Sequence, residues 1–270
     1  MALADQLKES GIVAIFVIFV ILIIVAIILW IVYKVRRSDL QGVKLTSKVV
    51  NLSADDAPYV QSRAKIPATL NGQEFTYSFW VYIVTYAMTS SPKLVFFRGE
   101  NRAKPSLGNP IVFLEPRTNR MKLKFRTNKV TSAGTIATQG GFVTSTIDYV
   151  PLQRWVHVVA VVQDSRISVY LDGELYSVET LYEHVTNDER PLLQGTVGDV
   201  VAGYVPTADD AAATEKNDRV NAFVSNMEFF NYALMQTQVS RIYRLGPSNR
   251  SWLSWLGFSG YTLRSPFERA

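Results

Sequence analysis

The chain has 270 residues, with 28 lysines and arginines against 23 aspartates and glutamates, a formal net charge of +5. At 48% hydrophobic and 12% aromatic residues it has the composition of a packed globular protein, not a disordered or fibrous one. It contains no cysteine and only two histidines, His157 and His184. That excludes disulfide frameworks, thiol nucleophiles, iron–sulfur clusters and cysteine- or histidine-rich metal sites, and the charge is too mild to imply nucleic acid.

Residues 1–11 form a short tail. From Ile12 to Val32 run 21 consecutive apolar residues, 18 of them Ile, Leu, Val or Phe. As a helix this run spans roughly 31 Å, the thickness of a hydrocarbon core, and its insertion is worth on the order of −5 to −11 kcal/mol. A soluble helix keeps a polar face, and a lone strand cannot satisfy its backbone in lipid. A cleaved signal peptide would need a basic start and a small-residue cleavage site. Here the start holds Asp5, Lys8 and Glu9, and the run ends in Lys34, Val35, Arg36, Arg37.

Residues 12–33 are therefore expected to be a single-pass transmembrane helix. Ile12, Phe16, Phe19, Leu22 and Val32 would lie in lipid, Trp30 and Tyr33 at the interface, and Lys34, Arg36 and Arg37 at the headgroups. Basic residues are concentrated on the C-terminal side, where Lys44 and Lys48 follow. That predicts a lumenal or exterior N-terminus and a cytosolic C-terminal part. The patterns Asn51-Leu-Ser53 and Asn249-Arg-Ser251 would go unglycosylated there.

Residues 34–60 read as a basic juxtamembrane stalk, 61–247 as one domain and 248–270 as an aromatic C-terminal tail. Within the domain the pattern is β. Residues 75–84, 93–98, 111–115, 121–127, 155–163, 166–171, 174–178 and 220–230 are rich in β-branched and aromatic residues. Pro116–Arg120 predicts one hairpin, and Asp172-Gly173 a tight one that needs positive φ at both positions. The continuous apolar run 155–163 predicts a strand covered on both faces. A short helix is expected at 237–245, closed by Gly246 and Pro247. The fold class that follows is all-β, a two-sheet antiparallel sandwich with one N-terminal transmembrane helix and one short C-terminal helix.

Three stretches carry a resemblance. FTYSFWVYI (75–83), WVHVVAVVQDSRISVYLDGELYSVE (155–179) and NMEFFNYALMQTQVSRIYRLGP (226–247) resemble the laminin G-like jelly rolls of the concanavalin A-like lectin/glucanase superfamily, in order and spacing. Met235 departs from that pattern, because it stands where the family has a serine helix cap. The resemblance implies a two-sheet jelly roll, and no activity by itself. In its membrane-anchored, cysteine-free form the chain is similar to minor capsid and membrane-linked proteins of large icosahedral DNA viruses. That implies placement between a virion's internal membrane and its capsid.

The chemistry is sparse. The paired carboxylates of the superfamily's hydrolases (E-x-D-x-x-E) are absent from the sequence, as are a G-x-S-x-G elbow, a P-loop, H-E-x-x-H and an EF-hand loop. No enzyme is expected, and no cofactor. Calcium is common in sugar-binding relatives, and Asp199, Asp209, Asp210 and Asp218 are loop carboxylates that could meet it, but no spacing singles them out. His157 reads as a hydrogen-bonded core or rim histidine. Trp80 and Trp155 read as core, with a sugar-stacking platform as the alternative.

Arg117, Arg120, Lys122, Lys124, Arg126 and Lys129 place six basic residues within 13 positions, three on one face of a strand. They read as a solvent face or as a docking stripe for acidic protein or lipid headgroups. In the tail, which also carries Tyr261 and Phe267, Trp252, Leu253, Trp255, Leu256 and Phe258 are too crowded for a free arm. They either pack on the sandwich or contact a neighbour or the membrane. The function expected is a non-enzymatic, membrane-anchored adaptor tethering a bilayer to a protein shell. The alternative is a carbohydrate-binding module displayed outside the cell.

Overall fold

The computed structural model describes residues 18–30, 42–46, 48–53, 58–67, 74–85, 90–127, 141–181, 193–203 and 219–247. The chain divides into two units, Met1–Gln41 and Gly42–Ala270. In the first, residues 18–30 form helix α1, apolar throughout and exposed at every position. Among the described residues no helix is long and apolar enough to cross a membrane. The expected span 12–33 extends beyond α1 at both ends. Ile12, Phe16, Val32 and Tyr33, with Lys34, Arg36 and Arg37, lie outside the described residues.

The second unit is a sandwich of two antiparallel sheets. The first contains β1 (Val43–Thr46), β2 (Val50–Asn51), β4 (Phe75–Ile83), β9 (Trp155–Gln163), β10 (Arg166–Leu171), β11 (Glu174–Thr180) and β13 (Ala222–Phe230). Its order is β1-β13-β4-β9-β10-β11, with β2 also on β13. The second runs β3 (Tyr59–Gln61), β12 (Asp199–Ala202), β5 (Lys93–Gly99), β6 (Ile111–Leu114), β7 (Met121–Arg126), β8 (Phe142–Ile147). The expected β-sandwich is the observed one. Of the segment 34–60 read as a stalk, Val43–Thr46, Val50–Asn51 and the start of Tyr59–Gln61 pair into the two sheets as β1, β2 and β3.

Alternation along the strands builds the core. Phe75, Tyr77, Phe79 and Val81 of β4 meet Phe96 of β5 and Phe125 of β7 between the sheets, all buried. Phe79 and Phe96 stand edge to face at 5.1 Å, a geometry in which ring quadrupoles attract. The hairpin turn at Asp172-Gly173 has positive φ at both residues (50° and 86°), as predicted. β11 is an edge strand whose Leu175, Tyr176 and Val178 are exposed.

Helix α2 (Gln236–Leu245) lies on the outer face of the seven-stranded sheet, with Val239 and Ile242 buried against it. This explains the continuous apolar run of β9, which has core on one side and α2 on the other. Met235 supplies no side-chain cap, as expected. Instead the Met235 N–H donates to Gln238 Oε1 at 2.8 Å, which satisfies one group at the helix start.

Candidate functional site

Three surfaces hold the residues singled out by sequence. The first is the outer face of the seven-stranded sheet beneath α2. His157 is fully buried there, with Nε2 2.9 Å from Ser78 Oγ, and it stacks on Trp80 with ring centroids 4.8 Å apart. Tyr243 of α2 stacks over both rings, 5.6 Å from Trp80 and 6.0 Å from His157. Burial pulls the His157 pKa down to about 3, so the imidazole is neutral. Buried and hydrogen-bonded to Ser78, it matches the sequence reading of a hydrogen-bonded core histidine. Trp80 is buried, but under α2 and not between the sheets.

The polypeptide that carries α2 is tied down at both ends by polar side chains of the sheet. Thr76 Oγ1 donates to Tyr232 O (3.0 Å) and accepts from Leu234 N (3.1 Å). Ser225 Oγ donates to Pro247 O (2.7 Å), and Asn226 Nδ2 to Gly246 O (3.3 Å). Midway, Ser240 Oγ donates to Gly173 O (3.2 Å).

The second surface is the outer face of the six-stranded sheet. The basic residues of β7 do alternate outward, but each engages a neighbour. Lys122 pairs with Glu115, Lys124 Nζ sits 5.3 Å from the Phe113 ring centroid, and the Arg126 guanidinium sits 5.0 Å from that of Phe142. Arg120 reaches both Glu115 (3.3 Å) and Asp148 (3.2 Å). Burial pushes the Glu115 carboxyl up, but the hydrogen bond and charge of Lys122, with Arg120, outweigh it and hold the group below its ordinary range. Arg117 is exposed at positive φ (59°), and Lys129 lies outside the described residues. The stripe is thus a charged, aromatic-backed face and not a row of isolated cations.

The third is a polar cleft of about 320 Å³ lined by Ser62, Arg63, Glu100, Arg102, Gly198 and Asp199. Asp199 accepts from Arg63 N (2.7 Å) and from Arg102 Nε (2.7 Å). The backbone hydrogen bond from Arg63, helped by Arg102, holds its carboxyl below the usual range. Asp199 is thereby committed to an arginine and a main-chain amide, and does not present itself to calcium. Among the described residues no cluster of three metal-ligating side chains forms. Asp209, Asp210 and Asp218 lie outside them, as do Trp252, Trp255, Phe258, Tyr261 and Phe267.

Sequence reasoning missed two features. Arg98 of β5 is buried inside the sandwich, donating to Gly198 O (3.1 Å), Tyr77 OH (3.3 Å) and Thr196 Oγ1 (2.5 Å). A charged residue directly after the apolar run of KLVFFR, within one predicted strand, was the available signal. The other is a row of aromatic side chains, Phe223, Tyr82 and Trp155, half-buried on the outer face beyond α2.

A family model described as the concanavalin A-like lectin/glucanases superfamily, Laminin_G_3, matches residues 55–240. The chain belongs to this laminin G family. Its match spans the sandwich from just before β3 to the middle of α2. No curated protein matches the chain.

Among solved structures, the chain is similar to the botulinum neurotoxin serotype G binding domain (12% identity, TM-score 0.47, covering 77% of this chain and 47% of that one). It is also similar to the binding domain of botulinum neurotoxin DC in complex with rat synaptotagmin II (11%, 0.47, 73% and 42%). A third is the same toxin's binding domain in complex with SialylT (11%, 0.43, 64% and 36%). The chain spans less than half the length of each. The family assignment rests on the match over residues 55–240 and on the strand arrangement, not on these likenesses.

Proposed function

We propose that this laminin G-like protein is a non-enzymatic, membrane-anchored adaptor, in which an N-terminal helix holds a bilayer and the jelly roll binds a protein shell on the cytosolic side. The observation that carries the reading is α1, whose residues are apolar and exposed at every position, with Phe19 60% and Trp30 58% accessible. In water such a helix is strongly unfavourable, at about 25 cal/mol per Å² of apolar surface, and lipid is the solvent that removes the cost. The apolar run continues in sequence from 12 to 32, long enough to span a bilayer. The basic residues after it favour a cytosolic sandwich.

The binding part of the reading draws on the family, on the lack of a hydrolase carboxylate motif in the sequence, and on the outward basic face of β7. That face suits an acidic protein surface. In a virion, as the sequence resemblance implies, it would meet capsid subunits.

A carbohydrate-binding module is the second reading, favoured by membership of a lectin-containing superfamily. It needs the opposite topology, so one experiment separates the two. Full-length protein is inserted into microsomes and treated with protease. Digestion of the sandwich, with no glycan on Asn51, supports the adaptor. Protection together with glycosylation of Asn51, which is exposed, overturns it in favour of the lectin.

A further inference from the structure

The cations on and beside the outer face of β7 fall into two pairs. Glu115 accepts from Arg120 (3.3 Å) and pairs with Lys122, and Arg120 also reaches Asp148 (3.2 Å). Those two charges are neutralised within the chain. Lys124 and Arg126 meet no carboxylate among the described residues. Lys124 Nζ is instead 5.3 Å from the centroid of the Phe113 ring, and the Arg126 guanidinium 5.0 Å from that of Phe142. Arg126 Nε is buried and has no hydrogen-bond partner, so a ring face and not an acceptor meets that side of the charge.

This arrangement limits what the face can recognise. Two unneutralised cations stand at alternate positions of one strand, about 7 Å apart. Both are held over half-buried rings, which form the margin of a buried apolar cluster of Leu94, Phe97, Ile111 and Val201. Beside them β8 adds two half-buried hydroxyl residues, Thr144 directly opposite Lys124 and Thr146 directly opposite Lys122. Cations fixed in this way lose little side-chain freedom on binding. The gain is large with carboxylates that a protein also holds in fixed places, and small with lipid headgroups that move independently. Arginine set among aromatic rings is moreover the make-up of a protein interface core.

On the adaptor reading above, we propose that this face docks an acidic protein segment, with Lys124 and Arg126 taking a pair of its carboxylates about 7 Å apart, the spacing of alternate residues on a strand. Glu115 sets the affinity from within the chain, because it withdraws Lys122 and Arg120 from the partner. Removing its charge therefore returns two cations to the face, next to the two already free.

The probe is a fluorescein-labelled peptide of alternating glutamate and threonine, with its glutamine counterpart as control. Anisotropy is titrated against the full-length protein in neutral detergent at low salt. The glutamate peptide should bind and the glutamine peptide should not. Lys124→Met with Arg126→Met, which keeps bulk beside the rings, should weaken binding by roughly tenfold or more. Arg166→Gln, at an exposed arginine of β10, should change it less than twofold. If the double variant fails to fold, Lys124→Met alone serves, with at least a threefold loss expected. Glu115→Gln should tighten binding at least threefold, which a face serving stability alone would not do. Binding that ignores the glutamates, that falls equally in Arg166→Gln, or that Glu115→Gln leaves unchanged or weakens overturns the proposal. So does tighter binding of glycerophosphoserine than of the peptide, which assigns the face to lipid headgroups. A lumenal sandwich in microsomes overturns the adaptor reading and leaves these affinities as they are, whereas failure of the peptide with a cytosolic sandwich overturns the docking face alone.

Discussion

The guanidinium of Arg98 lies inside the sandwich, 4.9 Å from the centroid of the Phe229 ring, and forms no ion pair with any described residue. Its charge is met instead by the face of an aromatic ring, a carbonyl and two hydroxyls. Burial raises the pKa of the Tyr77 phenol, with the Arg98 charge opposing, so the phenol stays neutral at all ordinary pH. A buried cation without a counter-ion is held only if its donors are satisfied. Arg98→Ala removes three hydrogen bonds and leaves a cavity, and should cost about 3 kcal/mol or more in urea unfolding. Arg98→Met, which fills the volume without a charge, should cost less than half as much.

His157 makes stability pH-dependent in a defined window. Its folded pKa is about 3 against 6.5 unfolded, so only the unfolded chain takes up a proton between these values. Stability from this group is full above pH 6.5, falls by about 1.4 kcal/mol per pH unit as pH drops toward 3, and then levels off. Carboxylates such as Glu115 and Asp199 also lose stabilisation in acid. The diagnostic quantity is therefore the difference in slope between the parent and His157→Gln, measured by urea titration from pH 6.5 to 4. Parallel slopes would contradict the assignment.

Gly198 lies at the point where β12 approaches β5. It has φ of +94°, and a Cβ there would stand 2.1 Å from the Gly99 carbonyl carbon. Because backbone cannot move aside as a side chain can, Gly198→Ala should lower the melting temperature by roughly 6–12 °C or more, from a cost above about 3 kcal/mol. Thermal circular dichroism checks this.

Thr76 fastens the start of the α2 segment with two hydrogen bonds from one hydroxyl. Thr76→Val keeps the shape and strands Leu234 N and Tyr232 O, at a cost of about 1–3 kcal/mol. Hydrogen exchange should then accelerate across 231–247 more than across β4 or β9.

The Lys122–Glu115 pair is partly exposed, so its value is screened. Lys122→Met should change stability by less than about 1 kcal/mol. If the β7 face docks an acidic partner, the same variant weakens that association and flattens its salt dependence, which a pull-down across 50–300 mM salt measures.

The long strands were legible because hydrophobic alternation or continuous apolar runs mark them, as in β7 and β9, and because Asp172-Gly173 admits few turns. β1, β2, β3 and β12 were not legible. They are two to four residues long and gain their stability from the neighbours they pair with, β1 and β2 from β13, β12 from β5 and β3 from β12, not from local preference. β8 was hidden by its polar composition, FVTSTI. Asp199 looked like a metal-ligand candidate because its partners Arg63 and Arg102 are 136 and 97 positions away. The parity of Tyr82, Trp155 and Phe223 could be read along each strand, but only the register across three strands makes them one row.

Among the described residues β11 closes the seven-stranded sheet with no further strand on its edge, carries no lysine or proline, and leaves Leu175, Tyr176 and Val178 exposed. Such a margin invites a second polypeptide to add itself as an extra strand. Concentrated preparations should therefore stick edge to edge, and Val178→Lys is the single change that should keep them dispersed.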